Sequence, residues 1–167
     1  LSSHENCLLA DDMGLGKTLQ ALMAIEEGGR AIVICPATLK INWANEVNLW
    51  RSDLTPVVCK GRKGFKLPAQ NEVVIINYDI LPTELTPTDK WGDDSSNVPP
   101  AWRDVLSKTT LIADEAHLCK SHKAIRSKRT KVLSNLCKNS WAMTGTPLLS
   151  KGFDLWGVVN TFGMGRT

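Results

Sequence analysis

The segment 11–18, which reads Asp-Asp-Met-Gly-Leu-Gly-Lys-Thr, constrains the fold of this chain more than any other feature. An apolar run at 7–10 leads into it, and a helix-forming run at 18–27 follows it. A strand, a glycine-containing turn ending in Lys-Thr and a helix form the phosphate-binding loop of nucleotide-binding α/β domains. The general pattern begins with Gly, and this chain has Asp11 there. The flanking runs favour this loop over a chance turn with a surface lysine.

The loop predicts a nucleotide site with a magnesium ion. Small glycines let backbone N–H groups close on phosphate oxygens, and the helix N-terminus adds positive potential. Lys17 is expected to contact the β- and γ-phosphates and to support catalysis, and the Thr18 hydroxyl to bind Mg²⁺. The predicted nucleotide-binding residues are Asp12, Met13, Gly14, Leu15, Gly16, Lys17 and Thr18. The chain is therefore predicted to bind a nucleoside triphosphate.

Composition excludes several other classes of protein. The 167 residues suit one domain with a real core, and a net charge of +3 is weak evidence for a nucleic-acid partner. Five cysteines without a C-x-x-C pair read as buried free thiols in an intracellular, reducing compartment, and the three histidines add no metal-ligand spacing. No apolar run of about 18 residues is present, so no membrane partner is expected.

Strand and helix signals alternate, which predicts an α/β fold with a mainly parallel sheet flanked by helices on both faces. Further strands are expected at 31–35, 55–59, 73–76, 110–113 and 141–143, and further helices at 38–50, 102–106, 123–137 and 153–162. The polar segment 83–100 lacks periodicity and is predicted to be a surface insertion.

Two helices carry specific expectations. Thr38 is predicted to cap the helix 38–50, whose buried stripe includes Trp43 and Trp50. In the helix 123–137, Ile125 is predicted to face the core. The basic residues of this second helix are interpreted as a solvated face, Lys131 included. The loop 60–66 is denser in Lys and Arg, and phosphate binding and simple solvation remain equal alternatives for it.

Asp114 and Glu115 follow the apolar run 110–113 and complete the predicted site. An acid at the C-terminal end of a strand can hold Mg²⁺ in sites of this kind, and Asp114 is assigned that role. The neighbouring Glu115 can orient and deprotonate the attacking water. A solvated strand end is the simpler reading of an isolated Asp-Glu pair, but the preceding phosphate-binding loop favours the catalytic one.

Four motifs in order resemble those of the Swi/Snf family of superfamily II helicase-like ATPases. They are D-x-M-G-L-G-K-T at 11–18, P-x-x-L-x-x-N-W-x-x-E at 36–46, D-E-A-H at 114–117 and T-G-T-P at 144–147. The Asp11 start is also typical of helicase-like ATPases. The family often has Ile-Gln-Asn after the last motif, whereas this chain has Leu-Leu-Ser at 148–150, a place where annealing-type members vary.

The resemblance implies that residues 1–167 form the first of two RecA-like lobes, in a protein that uses ATP and Mg²⁺ to translocate on double-stranded DNA. The second lobe, with its arginine finger, and the segment that reads adenine are then expected outside this sequence. Pro36, Thr38 and Asn77 match positions that border the DNA path. The residues that match those coupling nucleotide state to lobe movement are His117, Thr144 and Thr146.

Two alternative functions remain open at this point. An RNA helicase lobe also carries the D-E-A-H tetrad, although Asn42-Trp43 followed by Glu46 argues against it. A non-hydrolysing, ATP-dependent interaction module would need no second lobe in its own chain. The sequence encoded after Thr167 discriminates between them: a second RecA-like lobe favours the translocase, and a stop codon favours the module.

Overall fold

The computed structural model describes residues 6–10, 14, 16–145 and 152–164. The strands are β1 (Asn6–Leu9), β2 (Ala31–Cys35), β3 (Thr55–Val58), β4 (Glu72–Asn77), β5 (Thr110–Ala113) and β6 (Asn139–Met143). The α-helices are α1 (Lys17–Ala24), α2 (Lys40–Trp50), α3 (Pro100–Leu106), α4 (Ile125–Leu136) and α5 (Gly152–Thr161). Each predicted strand and helix is present, with ends shifted by a few residues.

The six strands form one sheet in the order β1-β6-β5-β2-β4-β3, and every pairing between them is parallel. The prediction of an α/β fold with a parallel sheet is confirmed. Because all strands run the same way, the loops that follow β1, β5 and β6 leave the sheet at one edge. This is the edge where open α/β sheets bind ligands.

Helices cover both faces of the sheet, and the central strand β2 divides its side chains between two cores. Ile32 and Ile34 lie in the core that includes residues of α3, α4 and α5. Val33 and Cys35 lie in the core formed with α1 and α2. This period of two, with apolar residues on both sides, is expected for a parallel strand buried on both faces.

The start of α2 corrects one prediction. Thr38 does not cap the helix, because it lies inside a 3₁₀ turn, Ala37–Leu39, in which the Leu39 N–H donates to the Pro36 carbonyl at 2.9 Å. Helix α2 begins after this turn, and its N-cap position makes no side-chain hydrogen bond. Pro36 thus ends β2 and starts the turn.

The buried stripe of α2 is also shorter than predicted. Trp43 and Val47 are buried, but Trp50 is 48% exposed and donates its Nε1–H to Glu46 Oε2 at 2.7 Å. Trp50 is the last residue of α2, where the helix has passed the edge of the core. The expectation that it is a core residue was therefore wrong.

Helix α4 departs from its prediction at two positions. Ile125, expected to face the core, is 49% exposed because it opens the first turn of the helix. Lys131, expected on a solvated face, is buried and lies 3.0 Å from Asp93 Oδ1, and it donates to the Trp91 carbonyl at 3.1 Å. The amine thus fixes the polar segment 83–100, which is further anchored by the buried side chains of Leu85 and Val98.

The cysteine prediction is confirmed for four of the five thiols, since all five are free and Cys7 is the exposed one. Burial raises the pKa of the Cys119 thiol to about 12, so it stays protonated and unreactive. Among the described residues, no helix is long and apolar enough to cross a membrane. In the same part of the chain, no group of three His, Cys, Asp or Glu side chains is placed to hold a metal ion.

Candidate nucleotide-binding site

The phosphate-binding loop is described at Gly14 and from Gly16 onward. Both glycines have positive φ angles, 88° and 71°, in the region that side chains with a Cβ rarely adopt. Gly16 is the N-cap of α1, and its carbonyl accepts the Gln20 N–H at 3.0 Å. The remaining predicted loop residues, Asp12, Met13 and Leu15, lie outside the described residues.

A cavity of about 450 Å³ opens above this loop. It is lined by Gly14, Gly16, Lys17, Thr18, Leu19, Glu46, Trp50, Glu115 and Gly145. These residues come from the loop after β1 and the start of α1, from α2, and from the segments that follow β5 and β6. The cavity therefore brings residues of the predicted phosphate-binding loop and Glu115 of the Asp-Glu pair to one place.

Asp114 is held by hydrogen bonds from three directions. Trp43 donates its Nε1–H to Asp114 Oδ2 at 2.9 Å, and the Glu115 N–H donates to Oδ1 at 2.9 Å. Tyr78 donates its hydroxyl to the Asp114 carbonyl at 2.8 Å. Helix α2 and the segment after β4 thus fix both the side chain and the backbone of this acid.

The oxygens around Asp114 fit a magnesium ion. Thr18 and Asp114 line one small cavity of about 180 Å³, together with Trp43 and Glu46. An ionised carboxylate offers about four lone-pair positions, and the two N–H groups on Asp114 leave some of them free. Mg²⁺ is commonly bound through one or two protein oxygens, with phosphate oxygens and water as its other ligands. This donor set suits it.

Glu115 lies in an unusual backbone conformation beside a histidine. Its φ of 52° is left-handed, which is uncommon for a residue other than glycine and often marks functional sites. Glu115 Oε2 is 3.1 Å from His117 Nδ1, which is also 3.3 Å from Thr144 Oγ1. The Glu115 carboxylate is thus linked through one imidazole to the end of β6, where Thr144 is buried.

The residues matched to a DNA path differ in their accessibility. Thr38 is exposed and Pro36 is half-buried. Asn77 is only 6% exposed, and its Oδ1 accepts a hydrogen bond from Lys40 Nζ at 3.1 Å. Thr146, the remaining coupling candidate, lies outside the described residues.

Burial also affects a thiol close to Asp114. Burial and the negative charge of Asp114 together raise the pKa of Cys35 to about 12, and the positive charge of Lys40 opposes them. Cys35 therefore adds no anionic group to this edge of the sheet.

Three contributions to the candidate site were missed at the sequence level. The prediction that Trp43 is a core residue is confirmed, but the hydrogen bond from its indole N–H to Asp114 was not predicted. Trp50 and Glu46 were not placed at the nucleotide cavity that they line. A signal was available, because residues 43, 46 and 50 are spaced at three and four along one helix face, and a buried indole N–H usually has a partner.

These features define a class of protein. A parallel sheet with glycines of positive φ after β1 and an acidic pair after β5 is typical of a RecA-like lobe. The chain belongs to the SNF2-related domain family, whose model matches residues 2–166. It is thus a Swi/Snf-type ATPase lobe, as its motifs predict.

Individual relatives agree with this assignment. The ISWI chromatin-remodeling complex ATPase ISW1 of Saccharomyces cerevisiae is 30% identical in an alignment of 178 residues, gaps included, and the alignment covers 96% of this chain and 14% of that protein. The human DNA annealing helicase and endonuclease ZRANB3 is 26% identical over 163 residues, covering 93% of this chain and 14% of that protein. The chain thus spans about a seventh of the length of these relatives.

Solved structures support the same fold. The SWI2/SNF2 ATPase core of Sulfolobus solfataricus, solved in complex with double-stranded DNA, has a TM-score of 0.68 and 28% identity. The similarity covers 95% of this chain and 31% of that one. The helicase domain of Pyrococcus furiosus Hef, at 18% identity and a TM-score of 0.65, shares the fold.

Proposed function

We propose that this chain binds ATP and Mg²⁺ and supplies the phosphate-binding loop and the catalytic base of a double-stranded DNA translocase. The observation that carries the proposal is the shared cavity, which brings Lys17 and Thr18 of one loop to Glu115 of another. Neither loop is sufficient alone, because hydrolysis needs phosphate binding and an activated water at the same place.

The predicted site residues have distinct roles in this proposal. Lys17 binds the β- and γ-phosphates, and Thr18 and Asp114 hold the magnesium ion, which neutralises developing charge on the phosphates when bound. Glu115 orients the attacking water and accepts its proton. The remaining loop residues, Asp12, Met13, Gly14, Leu15 and Gly16, are assigned to nucleotide binding.

Coupling to movement is assigned to His117, Thr144 and Thr146. His117 contacts both Glu115 and Thr144, so a shift at the end of β6 would alter the hydrogen bonding of the proposed base. Hydrolysis also requires positive charge near the γ-phosphate, and arginine fingers in related NTPases contribute about 10³–10⁵ in rate. We propose that a second lobe, encoded outside these 167 residues, supplies that arginine.

Double-stranded DNA is the proposed nucleic-acid partner. The S. solfataricus ATPase core, a relative of 28% identity, was solved with such a duplex. Pro36, Thr38 and Asn77 are the proposed bordering residues, of which Thr38 is the most accessible. Contacts to the backbone phosphates are electrostatic and carry no sequence information. The affinity for DNA should therefore fall steeply with salt and vary little with DNA sequence.

The test is phosphate release by the protein expressed with its native flanking sequence, measured with duplex DNA, single-stranded DNA and RNA. We expect the largest stimulation with the duplex. Stimulation by RNA alone would support an RNA helicase instead, and ATP binding without any hydrolysis would support an interaction module. Competition between unrelated duplexes at one salt concentration tests sequence preference.

Two controls locate the chemistry. Glu115→Gln retains the shape of the side chain but removes the base, so ATP should bind normally while hydrolysis falls by about 10²-fold or more. Normal hydrolysis by Glu115→Gln would refute the assignment of the base. The 167 residues alone should hydrolyse ATP negligibly even with DNA, and robust turnover that is lost in Lys17→Ala would refute the need for a second lobe.

A further inference from the structure

A second cavity, of about 260 Å³, lies at the C-terminal end of β4 and has no part in the nucleotide site. It is lined by Arg62, Tyr78, Asp79, Ala124, Ile125, Arg126 and Arg129. Three of these residues are arginines, which remain protonated at all physiological pH values. They come from two distant parts of the chain, the basic loop after β3 and helix α4. We call this site the arginine cavity.

The guanidinium groups of the arginine cavity have more donors than the protein uses. Each group carries five N–H donors. Within the described residues, the three guanidinium groups donate three hydrogen bonds in total. Arg62 donates to the Asp79 carbonyl, and Arg129 donates to the Leu81 carbonyl and to Thr86 Oγ1. In the described part of the chain, the Arg126 guanidinium makes only a long ion pair, with 3.9 Å between its Nη1 and Asp79 Oδ1. Most donors are left for an occupant.

The charges around the arginine cavity favour an anion. Two acidic groups oppose the three arginines: Asp79, whose side chain is 77% exposed, and Glu84, which interacts with Arg129. Partial burial lowers the pKa of Arg129, and the nearby positive charge of Arg62 lowers it further. The arginines therefore repel one another, and an anion between them would relieve that repulsion.

We propose that the arginine cavity binds a phosphate group of the nucleic-acid backbone. Guanidinium groups match the geometry of phosphate oxygens and can bind them through paired hydrogen bonds. The exposed cations Lys60 and Lys63 flank Arg62 in the chain, so positive charge extends beyond the cavity. An extended charge of this kind suits a polyanion better than a single free phosphate. This inference rests on the proposed function.

The arginine cavity is also close to the proposed catalytic machinery. Tyr78 lines it and, through its hydroxyl, donates to the carbonyl of Asp114, the proposed magnesium ligand. A phosphate in the cavity would thus contact a side chain that is bonded directly to the nucleotide site. Binding there should influence hydrolysis as well as affinity.

The test is the affinity of the protein with its native flanking sequence for duplex DNA, measured over a range of salt concentrations. Arg126→Gln is the informative variant because, among the described residues, its guanidinium has no hydrogen bond and its ion pair with Asp79 is 3.9 Å long. We expect its Kd to rise about tenfold on every duplex sequence, and the slope of log K against log salt to fall by about 0.9. Arg126→Lys should restore most of the slope.

Lys108→Gln is the matched control. It removes the same charge from an exposed side chain that pairs with Asp104, next to the N-terminal end of β5 and so at the opposite edge of the sheet. Its Kd and slope should equal those of the wild type. If Arg126→Gln fails to fold, judged by its melting temperature, Arg62→Gln replaces it, since Arg62 lies in an exposed loop.

Each outcome separates this inference from the proposed function. If the wild type binds duplex DNA and Arg126→Gln binds it with the same Kd and slope, the arginine cavity is not a backbone-phosphate site. If the wild type does not bind duplex DNA at all, the proposed function itself fails. Inorganic phosphate that raises the melting temperature of the wild type but not of Arg126→Gln, without any change in DNA affinity, would assign the cavity to a free anion and overturn the proposal.

Discussion

Replacing Trp43 by phenylalanine tests whether Asp114 depends on its neighbours for its position. The indole N–H donates to Asp114 Oδ2 at 2.9 Å, and the ring is 2% exposed in the core between α2 and the sheet. Phenylalanine fills most of the same space but cannot donate. The change therefore removes one hydrogen bond to a carboxylate and leaves a small void.

Two magnitudes follow from this geometry. A hydrogen bond to a charged group contributes about 1.5–3 kcal/mol to stability. Removing several ring atoms from a buried site adds a cost of about 1 kcal/mol. The effect on activity has a different origin, because a partner that orients a metal ligand is typically worth about 10–100-fold in metal affinity or activity. We therefore expect a protein that still folds but needs far more Mg²⁺.

The assay is DNA-stimulated ATP hydrolysis at increasing Mg²⁺ concentrations, in the protein with its native flanking sequence. Trp43→Phe should raise the Mg²⁺ concentration for half-maximal rate by about 10–100-fold. Trp102→Phe is the control, since Trp102 packs against Phe65 with ring centroids 5.4 Å apart and does not contact Asp114. If both variants show the wild-type dependence on Mg²⁺, Trp43 does not position the carboxylate and the reasoning is refuted.

Three further variants test other parts of the lobe. Lys17→Ala should weaken ATP binding strongly, because it removes the positive charge that contacts the β- and γ-phosphates. Equilibrium binding of ATP with Mg²⁺ measures this, and unchanged affinity would exclude Lys17 from the site. Nucleotide should change the intrinsic fluorescence of the protein mainly through Trp50, which lines the cavity, so Trp50→Phe should reduce that change several-fold. An undiminished signal in Trp50→Phe would show that the nucleotide does not contact Trp50. Arg51→Ala should lower the free energy of unfolding by about 2–4 kcal/mol, because the buried guanidinium donates to the Leu22 and Ile25 carbonyls at the end of α1. Chemical denaturation measures this change. A loss below about 1 kcal/mol would show that water replaces these hydrogen bonds.

Much of the fold could be predicted from the sequence because its strands are short apolar runs whose ends are marked by turn residues. β2 and β4 are buried over nearly their whole length, and turn residues such as Pro36 and the Gly28-Gly29 pair end the elements before the next one begins. The order of strands in the sheet could not be read in this way. The strand order depends on which strands and helices pack against one another, and the local sequence pattern does not determine that packing.

The errors at Thr38, Trp50 and Ile125 have one cause in common. Each residue lies at the end of a helix, where local periodicity no longer determines which side chains are covered. Thr38 has the right chemistry for a cap, but the turn that starts at Pro36 places it one step too early. Trp50 and Ile125 continue the apolar spacing of their helices past the region where the sheet covers them.

The partners of Asp114 explain why the candidate site was only partly predictable. The motif order identified the acid, but its two carboxylate oxygens and its carbonyl are engaged by Glu115, Trp43 and Tyr78, the last two of which lie 71 and 36 residues away in the chain. Such contacts form only when α2 and the segment after β4 pack against β5. The same packing places the Tyr78 ring at the arginine cavity and its hydroxyl on Asp114. A single buried side chain therefore joins the proposed phosphate site to the proposed magnesium ligand, and we propose this side chain as the link through which bound nucleic acid would influence the hydrolysis of ATP.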